Sequence, residues 1–399
     1  MASKKILYIS GSLGLGHITR DLAIAKELRI LKPELEISWL AAHPASLLLK
    51  EAGERLLPEA DQYANDNIPA ENAAKGAQLN LLSYLTKASK EWEKNVSVFD
   101  QVTSKEQYDL IIGDEAYEIV VGIQKKPSLK RSPFVMIYDF IGLDTMTNNP
   151  LEWLGTYIWN RIWSKDLKQG RSPIFDLALF VGEEEDVPDK KFGFMLPNRR
   201  DWAKTLCKFV GYIFPFNPKE YADKNKIRTK LNYGDEPFFL CSIGGTSIGK
   251  ELLILCGQAY PIIREEVPDL HMLLVCGPRL AADSLKVPEG VEVRGYVPDL
   301  YEHFAASDLA IVQGGATSTL ELTALNRPFL FFPVEGHFEQ ARVAERLTRH
   351  KAGVKMSYSQ TTPESLAEMV ISNLGKEVSY PPIATDGAQN AAQHICQLL

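Results

Sequence analysis

The sequence predicts an α/β protein made of two doubly wound units, each a parallel sheet covered by helices. Short apolar runs of strand length alternate with helical patterns along the chain, which is typical of parallel sheets. A chain of 399 residues exceeds one typical core and suits two domains of roughly 150–200 residues each. A stretch rich in Pro, Asn and Lys at 213–237 separates two series of apolar runs, as expected of a linker.

Each series consists of apolar runs that we predict to be strands. They are Ile6–Ser10, Ile37–Ala41, Leu110–Gly113, Phe134–Tyr138 and Leu177–Val181, then Phe238–Ile243, Leu270–Val275, Val291–Gly295, Leu309–Val312, Phe329–Val334 and Ala352–Met356. Leu22, Ala25, Leu28 and Leu31 fall three apart after the first strand. We therefore expect a helix there that buries these four side chains, with Arg20 off the buried stripe. We also predict a long loop at 65–80 and a charged surface helix at 83–98.

The composition argues against several classes of protein. A hydrophobic content of 45% with 24% charged residues is ordinary for a globular domain. The net charge of −7 argues against a nucleic-acid partner, which requires a basic surface. Five scattered cysteines without a CxxC pair argue against a zinc ribbon and a disulfide framework, so we expect a cytoplasmic protein. No stretch approaches the ~20 apolar residues of a membrane-spanning helix.

The stretch most suggestive of function is Val312–Gln340, VQGGATSTLELTALNRPFLFFPVEGHFEQ. Gly314–Gly315 follows an apolar strand and precedes a hydroxyl-rich helix start. Backbone N–H groups could therefore approach a phosphate at the helix N-terminus. Glu321, one turn into that helix, could accept from two vicinal hydroxyls such as those of a ribose, and Glu339–Gln340 could bind sugar hydroxyls. Phosphate, ribose and sugar in this order indicate a nucleotide sugar.

Structural interpretations of the same stretch stay open. Ser318 and Glu321 have the spacing of a capping box, in which the glutamate only stabilises the helix start. The glycine pair could be an ordinary strand-to-helix turn.

A second glycine loop, GSLGLGHITR, follows the first strand at Gly11–Arg20. A Walker A loop requires Lys and then Ser or Thr where His17 and Ile18 stand. A dinucleotide fingerprint requires another glycine order and an acidic residue after the second strand, which is absent. An imidazole titrates near neutrality, so His17 could take a proton from an acceptor hydroxyl. The alternative is that His17 only caps or packs the first helix.

A third loop, Ser242–Thr246 (SIGGT), contains a misleading pattern. Gly244 to Lys250 satisfies GxxxxGK, yet Glu251 stands in place of the Ser or Thr that binds Mg²⁺. We therefore expect Lys250 and Glu251 to begin the following helix.

Together these motifs resemble GT-B glycosyltransferases, in particular family 28 (the MurG type of N-acetylglucosaminyltransferase) and the UDP-glycosyltransferases. The resemblance is carried by GGATSTLE, RP and FFPVEGHFEQ, by GxGH after the first strand, and by SIGGT. It implies two Rossmann-like domains that face each other across a cleft. Residues 1–212 would bind the acceptor and 238–375 the donor, with a tail at 376–399 that crosses back to the first domain.

The resemblance also implies roles for individual residues. Gly14 and Gly16 would form the acceptor loop, with His17 as base, held by Asp114 or by its neighbour Glu115. The implied donor contacts are Gly244, Gly245, Thr246, Tyr296, Val297, Gln313, Gly314, Gly315, Thr317, Ser318, Glu321, Glu339 and Gln340. No metal is implied, because backbone amides and a helix dipole can stabilise the diphosphate. Gln313 stands in place of the commoner His, which leaves its contact with the diphosphate open, although a carboxamide can still donate. Glu339 stands in place of the commoner Asp, which leaves the sugar preference open.

An aromatic segment with nearby cations at 151–171 has three interpretations. It could line an acceptor pocket, contact a bilayer surface, or be buried in the first domain. We expect burial, because aromatic stripes at helical spacing usually belong to a core.

The sequence therefore predicts a metal-independent, inverting glycosyltransferase that uses a nucleotide sugar, UDP-linked by resemblance. Its acceptor would be a small molecule or a lipid-linked compound, and no cofactor beyond the co-substrate is expected. The alternatives are a nucleotide-sugar 2-epimerase of the same fold and a non-catalytic nucleotide-sugar-binding protein.

Overall fold

The computed structural model describes residues 3–11, 14–65, 67–75, 78–79, 81–165 and 172–399. The chain divides into two compact units. Unit 1 comprises Met1–Ala70, Leu81–Pro215 and Ala384–Leu399, and unit 2 comprises Glu71–Asn80 and Phe216–Ile383. Most of the segment predicted as a linker thus belongs to unit 2.

Strands and helices alternate through the described residues. The strands are β1 (Lys5–Ile9), β2 (Glu36–Leu40), β3 (Arg55–Leu56), β4 (Ala74–Lys75), β5 (Gln78–Leu79), β6 (Leu110–Asp114), β7 (Phe134–Tyr138), β8 (Leu177–Val181), β9 (Cys207–Gly211), β10 (Phe238–Ser242), β11 (His271–Val275), β12 (Val291–Arg294), β13 (Leu309–Gln313), β14 (Phe329–Phe332) and β15 (Val354–Lys355). The helices are α1 (Gly16–Leu31), α2 (Ala45–Glu51), α3 (Asn67–Ala73), α4 (Leu81–Lys105), α5 (Tyr117–Lys125), α6 (Pro150–Trp163), α7 (Arg199–Leu206), α8 (Lys224–Lys230), α9 (Lys250–Glu266), α10 (Leu300–Ala306), α11 (Ala316–Ala324), α12 (Phe338–Arg349), α13 (Pro363–Asn373) and α14 (Gly387–Cys396).

Each unit is built on one parallel sheet. The strand order is β3-β2-β1-β6-β7-β8-β9 in unit 1 and β12-β11-β10-β13-β14-β15 in unit 2. The winding direction reverses between β1 and β6, and again between β10 and β13. In open α/β sheets ligands bind at such reversals, beyond the carboxyl ends of the strands. This confirms the predicted fold class, and every predicted strand is present.

Both faces of each sheet are covered by a core cluster. In β1, Leu7 and Ile9 belong to one cluster, while Ile6 and Tyr8 belong to the other. The unit 2 sheet divides its side chains between two clusters in the same way. Burial on both faces explains why these strands are continuous apolar runs in the sequence.

The last helix, α14, belongs to unit 1 although it follows unit 2 along the chain. It packs against α1. Its side chains Ala391, Ala392 and Ile395 are fully buried in the same core cluster as Ile24 and Leu28 of α1. Unit 1 is therefore completed by the final residues of the chain.

The expected burial pattern of α1 was partly wrong. Leu31 is 45% exposed, whereas Arg20 and Asp21 are buried. Positions spaced by three drift around a helix of 3.6 residues per turn, so the end of the predicted stripe leaves the core. The first turn faces polar partners at the edge of the sheet instead.

The predicted loop at 65–80 was also wrong where the structure describes it. It contains α3 and the antiparallel pair β4–β5, whereas positions 66, 76, 77 and 80 lie outside the described residues. The predicted surface helix is present as the longer α4. Within the predicted linker, α8 buries Ile227 in the core of unit 2.

Helix α6 confirms the expected burial of the aromatic segment only in part, because Trp163 packs against the core of unit 1 whereas Trp153 is 55% exposed. Its inward face is polar, and Glu152, Thr156 and Asn160 are buried. Asn160 bonds both the N–H and the C=O of Leu143, so this face satisfies backbone groups of a loop. The outward face carries four exposed apolar side chains, Leu151, Trp153, Leu154 and Ile158.

The rest of the aromatic segment, 166–171, lies outside the described residues. Among the residues that are described, no helix has the length and apolar character needed to cross a membrane.

Candidate active site

Five ionisable side chains meet beyond the carboxyl ends of β1, β6 and β7. They are His17, Arg20, Asp114, Glu115 and Asp139, here called the His17 cluster. His17 and Arg20 lie in the first turn of α1, three residues apart and so on one face. Asp114 ends β6, Glu115 follows it, and Asp139 directly follows β7. The cluster thus lies at the reversal of the unit 1 sheet.

Arg20 connects two carboxylates of the cluster. Its Nε and Nη2 donate to the two oxygens of Asp114 at 3.0 and 2.5 Å, and its Nη1 donates to Asp139 Oδ2 at 2.6 Å. The Arg20 side chain is only 10% exposed and that of Asp114 is fully buried. A buried guanidinium in bidentate contact with a carboxylate is held rigidly.

His17 is oriented through its Nδ1 atom. Nδ1 lies 3.0 Å from Asp114 Oδ2 and 2.9 Å from Arg20 Nη2, while Nε2 lies 3.8 Å from Glu115 Oε2. Arg20 Nη2 can donate to an unprotonated Nδ1, whereas the Asp114 carboxylate accepts from a protonated one, so the two contacts favour opposite tautomers. In the tautomer that donates from Nδ1 to Asp114, Nε2 carries the lone pair that a general base needs.

The charges of the His17 cluster shift the pKa values of its members. Burial and Arg20 lower the pKa of His17, but Asp114 and Asp139 outweigh them, and the pKa is raised above its ordinary value. Burial raises the pKa of Asp114, yet Arg20 and His17 bring it below its ordinary value. Asp139 is likewise lowered in pKa, chiefly by Arg20 against the effect of burial. Both aspartates are therefore ionised at neutral pH.

Glu115 has an unusual backbone conformation. Its φ is 50°, a left-handed value that costs a residue other than glycine of order 1 kcal/mol or more. Such conformations concentrate at functional sites, because the surrounding structure has to maintain them. This one turns the Glu115 side chain towards His17.

The same cluster contains a possible set of metal ligands. One ligating atom from each of His17, Glu115 and Asp139 lies within 4.8 Å of the others. Asp139 already forms an ion pair with Arg20, which competes with a cation for that carboxylate.

The acceptor loop predicted before His17 is partly described. Gly14 has a φ of 72°, and its N–H donates to Asn67 Oδ1 at 2.9 Å. Gly16 begins α1. Ser12 and Leu13 lie outside the described residues.

Five of the predicted donor residues of unit 2 lie on two loops at the reversal of its sheet. Gly244–Thr246 follows β10, and Gly314–Gly315 follows β13. Gln313 Nε2 donates to the carbonyl of Ile248 at 2.5 Å, which connects the two loops. The Gln313 side chain is therefore engaged in a hydrogen bond within the protein, and its carboxamide is not directed only at a ligand. Lys250 begins α9, so the expectation for the GxxxxGK pattern is confirmed.

Helix α11 does not contain the capping box that its sequence allows. The helix begins at Ala316, its N-cap is Gly315, and no side chain caps it. Glu321 is instead buried, and burial raises its pKa to about 8. Thr317 and Ser318 are half-buried in the first turn.

The remaining predicted donor residues occupy three further positions. Tyr296 is half-buried and Val297 is buried after β12. Glu339 and Gln340 lie in the first turn of α12. The Oε1 atom of Gln340 accepts from the N–H of Val334 at 2.7 Å, so that oxygen already has a partner.

Comparisons with known proteins agree with this arrangement. Residues 239–397 match the model of the glycosyltransferase family 28 C-terminal domain. An uncharacterized glycosyltransferase of Methanosarcina acetivorans is 25% identical over 92% of this chain and 89% of its own length. The chain is a glycosyltransferase of the GT-B fold, and its C-terminal part is similar to that of family 28.

Two further comparisons give one more similar sequence and one similar fold. The UDP-N-acetylglucosamine–N-acetylmuramyl-(pentapeptide) pyrophosphoryl-undecaprenol N-acetylglucosamine transferase of Geobacter sulfurreducens is 25% identical over 53% of this chain and 58% of its own length. The crystal structure of the glycosyltransferase SnogD from Streptomyces nogalater is similar in fold, with a TM-score of 0.60, 17% identity and full coverage of both chains.

Sequence reasoning missed two residues of the glycosyltransferase's His17 cluster. Arg20 was placed off the buried stripe of its helix, although it ends the GSLGLGHITR motif. Asp139 was not considered. Asp139 directly follows an apolar strand, and Asp114 ends one. This shared position could have indicated from the sequence that Asp139 belongs to the site.

We expect Glu321→Gln to stabilise the glycosyltransferase at pH 8 but not at pH 4.5. Glutamate ionises near 4.5 in the unfolded chain, whereas folded Glu321 keeps its proton up to about pH 8. The folded state therefore binds the extra proton, and the free energy of unfolding falls as pH rises through this window. Gln does not lose stability in this way, so the difference in the free energy of unfolding between the two proteins should reach on the order of 4–5 kcal/mol at pH 8. Urea unfolding of both proteins at several pH values measures it, and identical pH dependences would contradict it.

Proposed function

We propose that the protein is a metal-independent, inverting glycosyltransferase that uses a UDP-linked sugar and a lipid-linked acceptor. The observation that carries the proposal is the orientation of His17, whose Nδ1 lies 3.0 Å from the buried Asp114 carboxylate. This arrangement favours Nε2 as the base for an acceptor hydroxyl. Asp114 would hold the tautomer and stabilise the imidazolium that forms.

In the proposed reaction the acceptor oxygen attacks the anomeric carbon from the side opposite the diphosphate. Its proton passes to His17 Nε2, the bond between the anomeric carbon and the phosphate oxygen breaks, and UDP leaves with the bonding electrons. Attack from the opposite side inverts the anomeric centre. Backbone N–H groups of Gly244–Thr246 and of the α11 N-terminus would stabilise the leaving diphosphate without requiring a metal.

The choice of acceptor rests on two observations. Helix α6 exposes Leu151, Trp153, Leu154 and Ile158 on one face, and exposed apolar patches commonly mark binding surfaces for proteins or lipids. The Geobacter relative is named for transfer to a pyrophosphoryl-undecaprenol acceptor. A lipid-linked acceptor would place this face of α6 against a membrane surface or against the lipid itself.

A thermal-shift panel of UDP-, GDP- and dTDP-sugars tests the donor class. We expect a UDP-sugar to raise the Tm, because a ligand at 100 times its Kd stabilises the folded state by about 2.7 kcal/mol. Addition of EDTA should leave the shift unchanged if the donor site needs no metal. Stabilisation by none of these nucleotides would contradict the proposed function, and stabilisation by GDP- or dTDP-sugars alone would correct the donor.

A further inference from the structure

An anionic side chain lies beside the predicted phosphate loop of unit 2. Glu71, in α3, accepts from Arg279 Nε at 2.6 Å and from Arg279 Nη2 at 2.5 Å. Its Oε1 atom also accepts from the backbone N–H of Ser247 at 3.1 Å. All three residues belong to unit 2. A guanidinium presents the same pair of donors to a phosphate as to a carboxylate.

The donors of Arg279 and Ser247 lie beyond the carboxyl ends of two neighbouring strands, where ligands bind in parallel sheets. Ser247 directly follows Gly244–Thr246 beyond β10, and Arg279 lies beyond the end of β11, the neighbouring parallel strand. The two loops are in close contact, since a Cβ atom added at Gly277 would lie 2.1 Å from the carbonyl oxygen of Gly244. Arg279 therefore belongs to the same edge of the sheet as the predicted phosphate loop.

The hydrogen bonds to Glu71 keep its carboxylate ionised. Burial raises its pKa, but the hydrogen bonds from Arg279 and Ser247 outweigh burial and bring the pKa below its ordinary value. The side chains of Arg279 and Glu71 are only 18% and 19% exposed. An ionised carboxylate thus occupies a sheltered position formed by a guanidinium and a backbone N–H, which are donors suited to any compact oxyanion.

We propose that Arg279 and the Ser247 N–H form a phosphate subsite of the donor site, and that Glu71 occupies it as an internal competitor when no donor is bound. The inference rests on the proposed function. Binding a UDP-sugar would exchange the Glu71 carboxylate for a phosphate group of the donor. Arg279 is then never left as an unpaired, sheltered charge, which would be costly. The opposing hypothesis is that the Glu71–Arg279 pair only stabilises the fold.

The affinity for UDP and for uridine, measured by calorimetry, separates these hypotheses. Glu71→Gln removes the competing charge and keeps the side-chain shape, so UDP should bind roughly 5-fold more tightly. Arg279→Met should weaken UDP binding by about tenfold or more. Uridine, which lacks the phosphates, should bind each variant as it binds the parent protein.

Two controls define the outcome. Glu364→Gln, on α13 of the same unit and fully exposed, makes the same change in net charge and should leave UDP affinity unchanged. In the Arg279→Met background, Glu71→Gln should have no further effect. Two results would overturn this inference and leave the proposed function intact. In one, Glu71→Gln does not change UDP affinity; in the other, it weakens UDP binding and lowers the Tm. Failure of every variant to bind UDP would overturn the proposed function and this inference with it.

Discussion

His17→Ala is expected to lower kcat by about 10²–10⁴-fold, the usual contribution of a general base, while the donor affinity stays unchanged. The substitution removes the Nε2 lone pair but no predicted donor contact, because His17 belongs to unit 1 and the predicted donor residues to unit 2. UDP release in steady state gives kcat, and calorimetry gives the donor Kd.

The control for His17 is His394→Ala, in α14 and outside the His17 cluster, which should retain full activity. The pH profile provides a second check. Only the unprotonated imidazole accepts a proton, and the pKa of His17 is raised above 6.5, so activity should rise with pH through an apparent pKa above 6.5. Unchanged kcat in His17→Ala would contradict the proposed mechanism.

Arg20→Met is expected to destabilise the protein by about 3–5 kcal/mol, as when one partner of a buried ion pair is removed. It leaves Asp114 and Asp139 as buried carboxylates without the guanidinium that both contact. Urea unfolding at pH 7 measures the change. Arg29→Met in the same helix is the control. The Arg29 side chain is 38% exposed, and its partner Glu54, which is 7% exposed, keeps the hydrogen bond from Trp39 Nε1. The loss should therefore be smaller, about 1.5–3 kcal/mol.

The pH dependence identifies the cause of the Arg20 effect. In the parent protein the pKa values of Asp114 and Asp139 are depressed below 3.8. The stability they contribute is present above that pH and is lost as the pH falls and they take up protons. The difference between Arg20→Met and the parent should therefore shrink on acidification below about pH 4. Equal losses in the Arg20 and Arg29 variants would contradict the role assigned to the His17 cluster.

The strands were predictable because each of the long ones is buried on both faces. Such strands are contiguous apolar runs that need no knowledge of their neighbours. Two strands of the parallel sheet of unit 1 were not predicted, β3 and β9, and both lie at its edges. In β9 the exposed Lys208 interrupts the apolar run, and β3 is too short to show a pattern.

The polar interior was less predictable for a physical reason. The pairing of His17 with Asp114 or its neighbour Glu115 was implied by the family resemblance, which both loops carry in their sequence. The place of Arg20 could not be predicted, since its burial depends on carboxylates contributed by β6 and the residue after β7, which are distant in sequence. Helix α6 shows the same limit, because its buried face is polar only to satisfy the loop before it. The periodicity of a helix reveals which face is apolar, but not whether that face is the buried one.

The packing of α14 on α1 has a consequence for the order of events during translation. The ribosome makes most of unit 1 first, together with the short segment Glu71–Asn80 of unit 2, then the remainder of unit 2, and only then the helix that covers α1. Unit 1 must therefore wait, with Ile24 and Leu28 of α1 incompletely covered, until unit 2 has been synthesised. A chain that stops before residue 384 would keep every residue of unit 2 and leave unit 1 unfinished. A late nonsense mutation would thus damage the unit that carries the His17 cluster, although most of that unit is encoded first.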